Sequence, residues 1–194
     1  MSQTSKKTRS TAILGIFSAI IVVLQLMSYF IKIGTFNLSL VLIPVVLGAY
    51  LYGAKTGAIL GGVFGITVTV CCFAGLDGGG YILVQASPVI TSAVCIVKGV
   101  AAGLCAGLVA SAFKNKKPYL AIMASAVVAP LVNTGLFVSA MFLFFKDILA
   151  QWSGGTNIVT YAIVGLVGVN FIIELVLNVA MAPAMLRVSK ALKI

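Results

Sequence analysis

Apolar residues fall in long runs, set apart by short polar or glycine-rich breaks. A helix that crosses the hydrocarbon of a bilayer needs about 20 apolar residues, range about 17–25. The first run, Thr11 to Ile31, has that length. Lys6, Lys7 and Arg9 precede it as in a secretion signal, but its apolar stretch is too long for one. No small-residue cleavage site follows, so the run reads as a retained helix. Ile33–Gly34–Thr35–Phe36–Asn37 breaks it. From Leu38 to Ala74 the chain is apolar except at Tyr52–Gly53–Ala54–Lys55–Thr56–Gly57, where glycines around a lysine predict a turn. This stretch is too long for one span. It divides into a short helix near Leu38–Tyr52 and a fuller one near Thr56–Ala74. Gly75 to Ser87 is a loop holding Asp77 and Gly78–Gly79–Gly80. Pro88 to Phe113 is the fourth span, with proline in its first turn, where a missing N–H is harmless. Lys114–Asn115–Lys116–Lys117–Pro118 ends it, and Tyr119 to Phe145 is the fifth. Lys146 to Asn157 is a polar loop with Trp152 and Gly154–Gly155. Ile158 to about Leu186 is the sixth span, and Arg187, Lys190 and Lys193 close the chain.

The expected fold class is all-α, a polytopic membrane protein with six transmembrane helices in one domain over residues 1–194. Composition agrees. The chain is 61% hydrophobic and 8% charged, whereas soluble domains run near half apolar and about a quarter charged. Its net charge of +10 comes from 13 Lys+Arg against 3 Asp+Glu. With six spans, Lys6, Lys7, Arg9, Lys55, Lys114, Lys116, Lys117, Arg187, Lys190 and Lys193 fall on one side, and only Lys32 and Lys146 on the other. The positive-inside rule then puts both termini in the cytoplasm. The basic excess is thus mainly a topology signal, with anionic lipid headgroups as natural company. It does not point to nucleic acid, because most of the chain lacks a solvated face to carry a basic patch. No linker, low-complexity tract or internal repeat stands out.

Missing residues exclude chemistry. Without histidine there is no His-based acid–base catalysis, no Ser-His-Asp triad and no usual histidine metal site. Three carboxylates leave little for Mg²⁺-dependent or paired-carboxylate work. Cys71, Cys72, Cys95 and Cys105 form no CxxC and sit in apolar runs, where cysteine acts as a small hydrophobe. No catalytic residue, metal ligand or cofactor is expected.

Small residues four apart mark helix contact faces in lipid. Gly57, Gly61 and Gly65 make one such line in the third span, and Gly99, Gly103 and Gly107 another in the fourth. Both read as packing within the bundle. Ala12, Gly15 and Ala19 line the first helix, whose other faces carry Ile, Leu, Val and Phe, so this stripe suits a partner membrane protein.

An ionisable residue inside a span is expensive and marks a functional site by default. Lys98 lies ten residues past Pro88, about 15 Å along its helix. Asn170, Glu174 and Asn178 are four apart and share a face of the sixth span. Asn133 sits mid-span in the fifth, after Pro130. Two readings compete: a Lys98–Glu174 pair that locks helices together, or a polar pocket for a small solute. A second polar group gathers at the outer face: Asn37, Ser39, Tyr81, Gln85, Gln151, Trp152 and Asn157. Interfacial aromatic belts account for some of it. Aromatic walls with a few convergent polar groups are also how small-molecule sites are built, and the glycines of the outer loops would let a cover move.

Three local patterns carry a resemblance: the Ala12–Gly15–Ala19 stripe, the segment Phe36–Asn37–Leu38–Ser39–Leu40–Val41–Leu42–Ile43–Pro44, and the turn Leu51–Tyr52–Gly53–Ala54–Lys55–Thr56–Gly57–Ala58–Ile59–Leu60–Gly61. With the size, six helices and cytoplasmic termini, the chain resembles the S components of energy-coupling factor (ECF) transporters over nearly its whole length. Gly15 stands where the family favours alanine. The resemblance implies a multi-pass subunit of a bacterial cell membrane that captures a water-soluble vitamin and carries no engine. A coupling transmembrane subunit, docked on Ala12, Gly15 and Ala19, and two ATPases would supply the power. The absence of a GxxxxGK[ST] P-loop agrees. The family's pocket, built by the first outer loop and the last three helices, maps to Asn37, Tyr81, Gln85, Lys98, Asn133, Trp152, Asn157, Asn170 and Glu174. Lys98 facing a carboxylate would suit pantothenate, the slight favourite. Glu174 with the asparagines would equally suit riboflavin, a pyridoxine-type vitamin or a pyrimidine thiamin precursor.

The alternative is a stand-alone proton-coupled secondary transporter with Glu174 as relay; such transporters commonly show internal repeats, which this chain lacks. An intramembrane enzyme lacks its parts, since Asp77 and Asp147 both fall in outer loops. A purely structural subunit fits only if Lys98 and Glu174 do no more than pair.

Overall fold

A computed structural model describes the backbone of residues 3–30, 32–33, 36–37 and 40–191, and side chains at 12–30, 40–166, 168 and 171–191. The side chains of Asn37 and Asn170, and all of Ser39, lie outside the described residues. The chain is an all-α bundle: α1 (Gln3–Ser28), α2 (Leu42–Tyr52), α3 (Ala54–Phe73), α4 (Gly78–Ala86), α5 (Pro88–Phe113), α6 (Pro118–Phe144), α7 (Lys146–Trp152), α8 (Ile158–Thr160) and α9 (Val169–Ala191), with a π-helical stretch at Tyr161–Gly168. Between α1 and α2 a two-residue antiparallel pair, Lys32–Ile33 with Phe36–Asn37, turns the chain back. It accounts for the break read at Ile33–Asn37.

Helices α3, α5, α6 and the continuous run Ile158–Ala191 are long and apolar enough to cross a membrane, and Ala12–Ser28 and Leu42–Tyr52 are shorter apolar helices. The second helix starts four residues later than the sequence reading placed it. Leu42 opens it, with Pro44 tolerated in the first turn. At 11 residues it is the shortest of the six, about 16 Å, yet it lies at the centre. Val41, Leu42, Val45, Val46 and Ala49 are fully buried among α1, α3, α5, α6 and α9. Its carbonyl end is held by Lys114, whose Nζ donates to Leu51 O at 3.2 Å and lies 5.0 Å over the Tyr50 ring.

The two expected glycine lines face each other between α3 and α5. A Cβ on Gly57 would fall on the Gly103 carbonyl, and one on Gly61 on the Gly99 carbonyl. Backbone-to-backbone contact of this kind supplies dispersion where lipid offers no hydrophobic drive for helix association. Ser125, fully buried in α6, adds a hydroxyl contact to Ala106 O of α5 at 2.8 Å.

Two segments read as loops are helices. Asp77 caps α4 by accepting from Gly80 N at 2.7 Å, which offsets the poor helix propensity of three glycines. In α7 the apolar residues Phe145, Ile148, Leu149 and Trp152 repeat at helical spacing. They pack with Leu83, Met141, Ala162 and Leu166 into a small core over the end of the bundle away from the basic termini. Charged Lys146 and Asp147 had disguised this stripe.

Candidate binding cavity

At that same end a cavity of about 160 Å³ opens among α1, α3, α4, α5, α6, α7 and α9. Its wall is apolar and aromatic: Phe64, Val68, Leu83, Phe137, Trp152, Leu166 and Phe171. Its polar groups are few. Gln25 and Ser28 come from α1, Asp77 from the cap of α4, Lys98 from α5, Asn133 and Thr134 from α6, and Glu174 from α9.

Elements position these groups by register. Lys98 lies one residue before Gly99, and the glycine contact brings α5 close to α3. Asn133 follows Pro130, a helix-interior proline that removes one backbone hydrogen bond from α6. Glu174 enters after the π-helical stretch, a rare winding often found at functional sites.

Hydrogen bonding inside the cavity is incomplete. Asn133 is buried and its Oδ1 has no partner among the described residues; Glu174 Oε1 is likewise enclosed and unpartnered, and so is Gln25 Oε1. Asn178 donates to the backbone carbonyl of Glu174 at 2.9 Å and leaves the carboxylate alone. Lys98 Nζ lies 5.0 Å over the Phe137 ring, a cation–π contact, and acts on Glu174 through its charge. Among the described side chains, Asn178 therefore holds the backbone of Glu174 rather than its carboxylate. Buried polar groups are nearly always satisfied in native proteins. Several open acceptors round one cavity are the complement of a ligand that brings donors.

Of the residues expected from sequence, Lys98, Asn133, Trp152 and Glu174 line the cavity. Tyr81 and Gln85 are exposed on α4, whose Gly79, Gly80 and Leu83 face inward instead. Asn157 is exposed and caps α8, accepting from Val159 N at 2.9 Å and Thr160 N at 3.3 Å. Gln25, Ser28, Thr134, Phe137 and Phe171 were not singled out. For Gln25 a signal existed: it continues the buried line Phe17–Ile21 by four residues, which makes it a polar residue on an apolar face.

The small stripe on α1 points the other way. Ala12, Gly15 and Ala19 are exposed, and the space beside Gly15 is open. Exposed Ile16, Ile20 and Val23 adjoin it.

Comparison with known proteins bears on the whole bundle. No curated protein matches the chain. The profile described as "ECF transporter, substrate-specific component" matches residues 9–186. That span runs from Arg9 within α1 to Leu186 within α9. It takes in the cavity and the stripe together, and it describes a family of transporter substrate-binding components, not of enzymes. This multi-pass membrane protein belongs to the substrate-specific components of ECF transporters.

Proposed function

We propose that the chain captures a small water-soluble vitamin in the cavity of Lys98, Asn133 and Glu174 and passes it to partner subunits for ATP-driven uptake. One observation carries the reading: enclosed Asn133 Oδ1 and Glu174 Oε1 lack hydrogen-bond partners among the described residues, beside a lysine that lies over the Phe137 ring. An unfilled acceptor costs stability, and a ligand's O–H or N–H would recover it. The cavity end is the outer one and the basic termini are cytoplasmic, in a bacterial cell membrane.

Pantothenate stays the favoured vitamin. Its carboxylate suits Lys98, and its two hydroxyls and amide N–H suit the open acceptors. Pyridoxine-type and pyrimidine ligands bring donors but no anion for the lysine. Riboflavin, the largest of the four, suits a cavity of about 160 Å³ least. Aromatic Trp152, Phe137 and Phe171 would cover the ligand's apolar parts. The stand-alone proton-coupled alternative has less behind it, because the family works with energising subunits.

The test is mass spectrometry of the small molecule that purifies with the protein, followed by titration with pantothenate, pyridoxine, 4-amino-5-hydroxymethyl-2-methylpyrimidine and riboflavin. Saturable sub-micromolar binding of one of them is expected; binding of none counts against the vitamin reading.

Docking is a separate matter. The coupling transmembrane subunit is placed on the Ala12–Gly15–Ala19 stripe, with two ATPases behind it. Gly15→Trp fills the open face of α1 without touching the cavity. Complex formation in a pull-down should be lost while ligand affinity stays. Loss of both together would indicate misfolding and remove the assignment.

A further inference from the structure

Gln25, with Ser28, is a polar group of the cavity supplied by the helix that also bears the small-residue stripe. It is 4% exposed. Its Nε2 donates to the Tyr29 hydroxyl at 2.8 Å, one helical turn on. Ser28 Oγ, between them on the same face, donates to Gln25 O at 2.6 Å.

Tyr29 takes the Nε2 end of the amide. The carbonyl oxygen Oε1 is left facing the cavity, enclosed and without a partner.

We propose that Gln25 is a ligand-binding residue whose Oε1 accepts a hydrogen bond from an O–H or N–H of the captured solute, and that Tyr29 is the positioning residue that holds it there. The solute therefore carries a neutral donor at the α1 side of the cavity, in addition to whatever meets Lys98 and Glu174. A purely structural glutamine on a buried helix face would have both ends of its amide satisfied by protein. This one spends its donor on Tyr29 and keeps its acceptor open. The inference rests on the capture reading, because it presumes that a solute occupies the cavity.

The experiment uses the full-length protein in detergent, the same four probes and two variants. Gln25→Met keeps the length of the side chain and removes the amide. With whichever probe the unaltered protein binds, affinity should fall about tenfold, the usual worth of one buried hydrogen bond. The ligand-free variant should still elute as a folded monomer, since an enclosed open acceptor goes together with the Tyr29 hydrogen bond. Tyr29→Phe deletes one oxygen and frees the amide to turn; its affinity should fall by a smaller factor at an unchanged pantothenate-independent fold, read as the same monodisperse elution. Unchanged affinity in Gln25→Met overturns the proposal and makes Gln25 structural. Should Gln25→Met fail to fold, unchanged affinity in Tyr29→Phe overturns it instead. Loss of affinity in Lys98→Met but not in Gln25→Met sinks this inference alone. An unaltered protein that binds none of the four probes overturns the capture reading and this inference with it.

Discussion

Gly103→Val is expected to abolish the folded monomer. A Cβ at this position would land on the Gly57 carbonyl oxygen, with Gly57 C at 2.5 Å and Val45 Cγ1 at 3.2 Å. The first two are backbone atoms of α3 and cannot rotate aside. Relief would require the whole α3–α5 contact to open. That contact also sets Gly61 against Gly99 and Gly107 against Ala54, so it would be lost along its length. Overpacking in ordinary cores costs about 1–3 kcal/mol because side chains give way; here the clash is backbone against backbone and the cost is larger. The measurement is the monodisperse fraction on size exclusion in detergent, with the thermal midpoint of whatever elutes. Gly62→Ala is the control: its Cβ would meet only Val100 Cγ2 at 3.5 Å, ordinary contact. It should elute and melt like the parent. A monodisperse Gly103→Val with the parent's midpoint would show that the glycine lines do not hold α3 to α5.

The same glycine lines show how much of the fold was legible in the sequence. Long spans announce themselves because hydrocarbon thickness fixes helix length, and Pro88–Phe113 has the bounds that its proline and its lysine cluster mark. Small residues four apart foretold a contact but not its partner. What stayed hidden was local register. The segment Gly75–Ser87 carries three glycines, and its helix depends on the Asp77 cap and on packing of Leu83 and Val84. Read as a loop, it has no faces; as a helix it turns Gly79, Gly80 and Leu83 to the cavity and Tyr81 and Gln85 outward. Lys98 and Glu174 were visible because charge inside a span is costly. Gln25 was hidden because an uncharged amide near a helix end raises no such alarm, and because its role depends on its contact with Tyr29.

Glu174→Gln and Lys98→Met should each weaken ligand binding at least tenfold, about 1.4 kcal/mol or more. Two roles are open to these residues, and they predict opposite pairs of results. A helix-locking ion pair, once broken, leaves an uncompensated buried charge, which costs about 3–5 kcal/mol of stability; binding would suffer only as the fold did. In this cavity Glu174 Oε1 has no hydrogen-bond partner, and Lys98 Nζ lies over Phe137. Removing either group therefore deletes little that holds the helices together. Glu174→Gln in particular replaces an enclosed carboxylate by a neutral amide of the same shape, which relieves desolvation. The ligand-free thermal midpoint should then hold in Glu174→Gln while affinity falls, and in Lys98→Met affinity should fall by more than any loss of midpoint accounts for. Ligand chemistry sharpens the test for Lys98. Pantothenol carries a hydroxyl where pantothenate has its carboxylate, so the parent protein should prefer pantothenate strongly. Lys98→Met should bind the two about equally, because the cation that distinguished them is gone. Unchanged affinity in both variants, with lowered midpoints, would return Lys98 and Glu174 to packing. A preference for pantothenate that survives Lys98→Met would mean that the carboxylate is read by another group, and the lysine would lose its place opposite the anion.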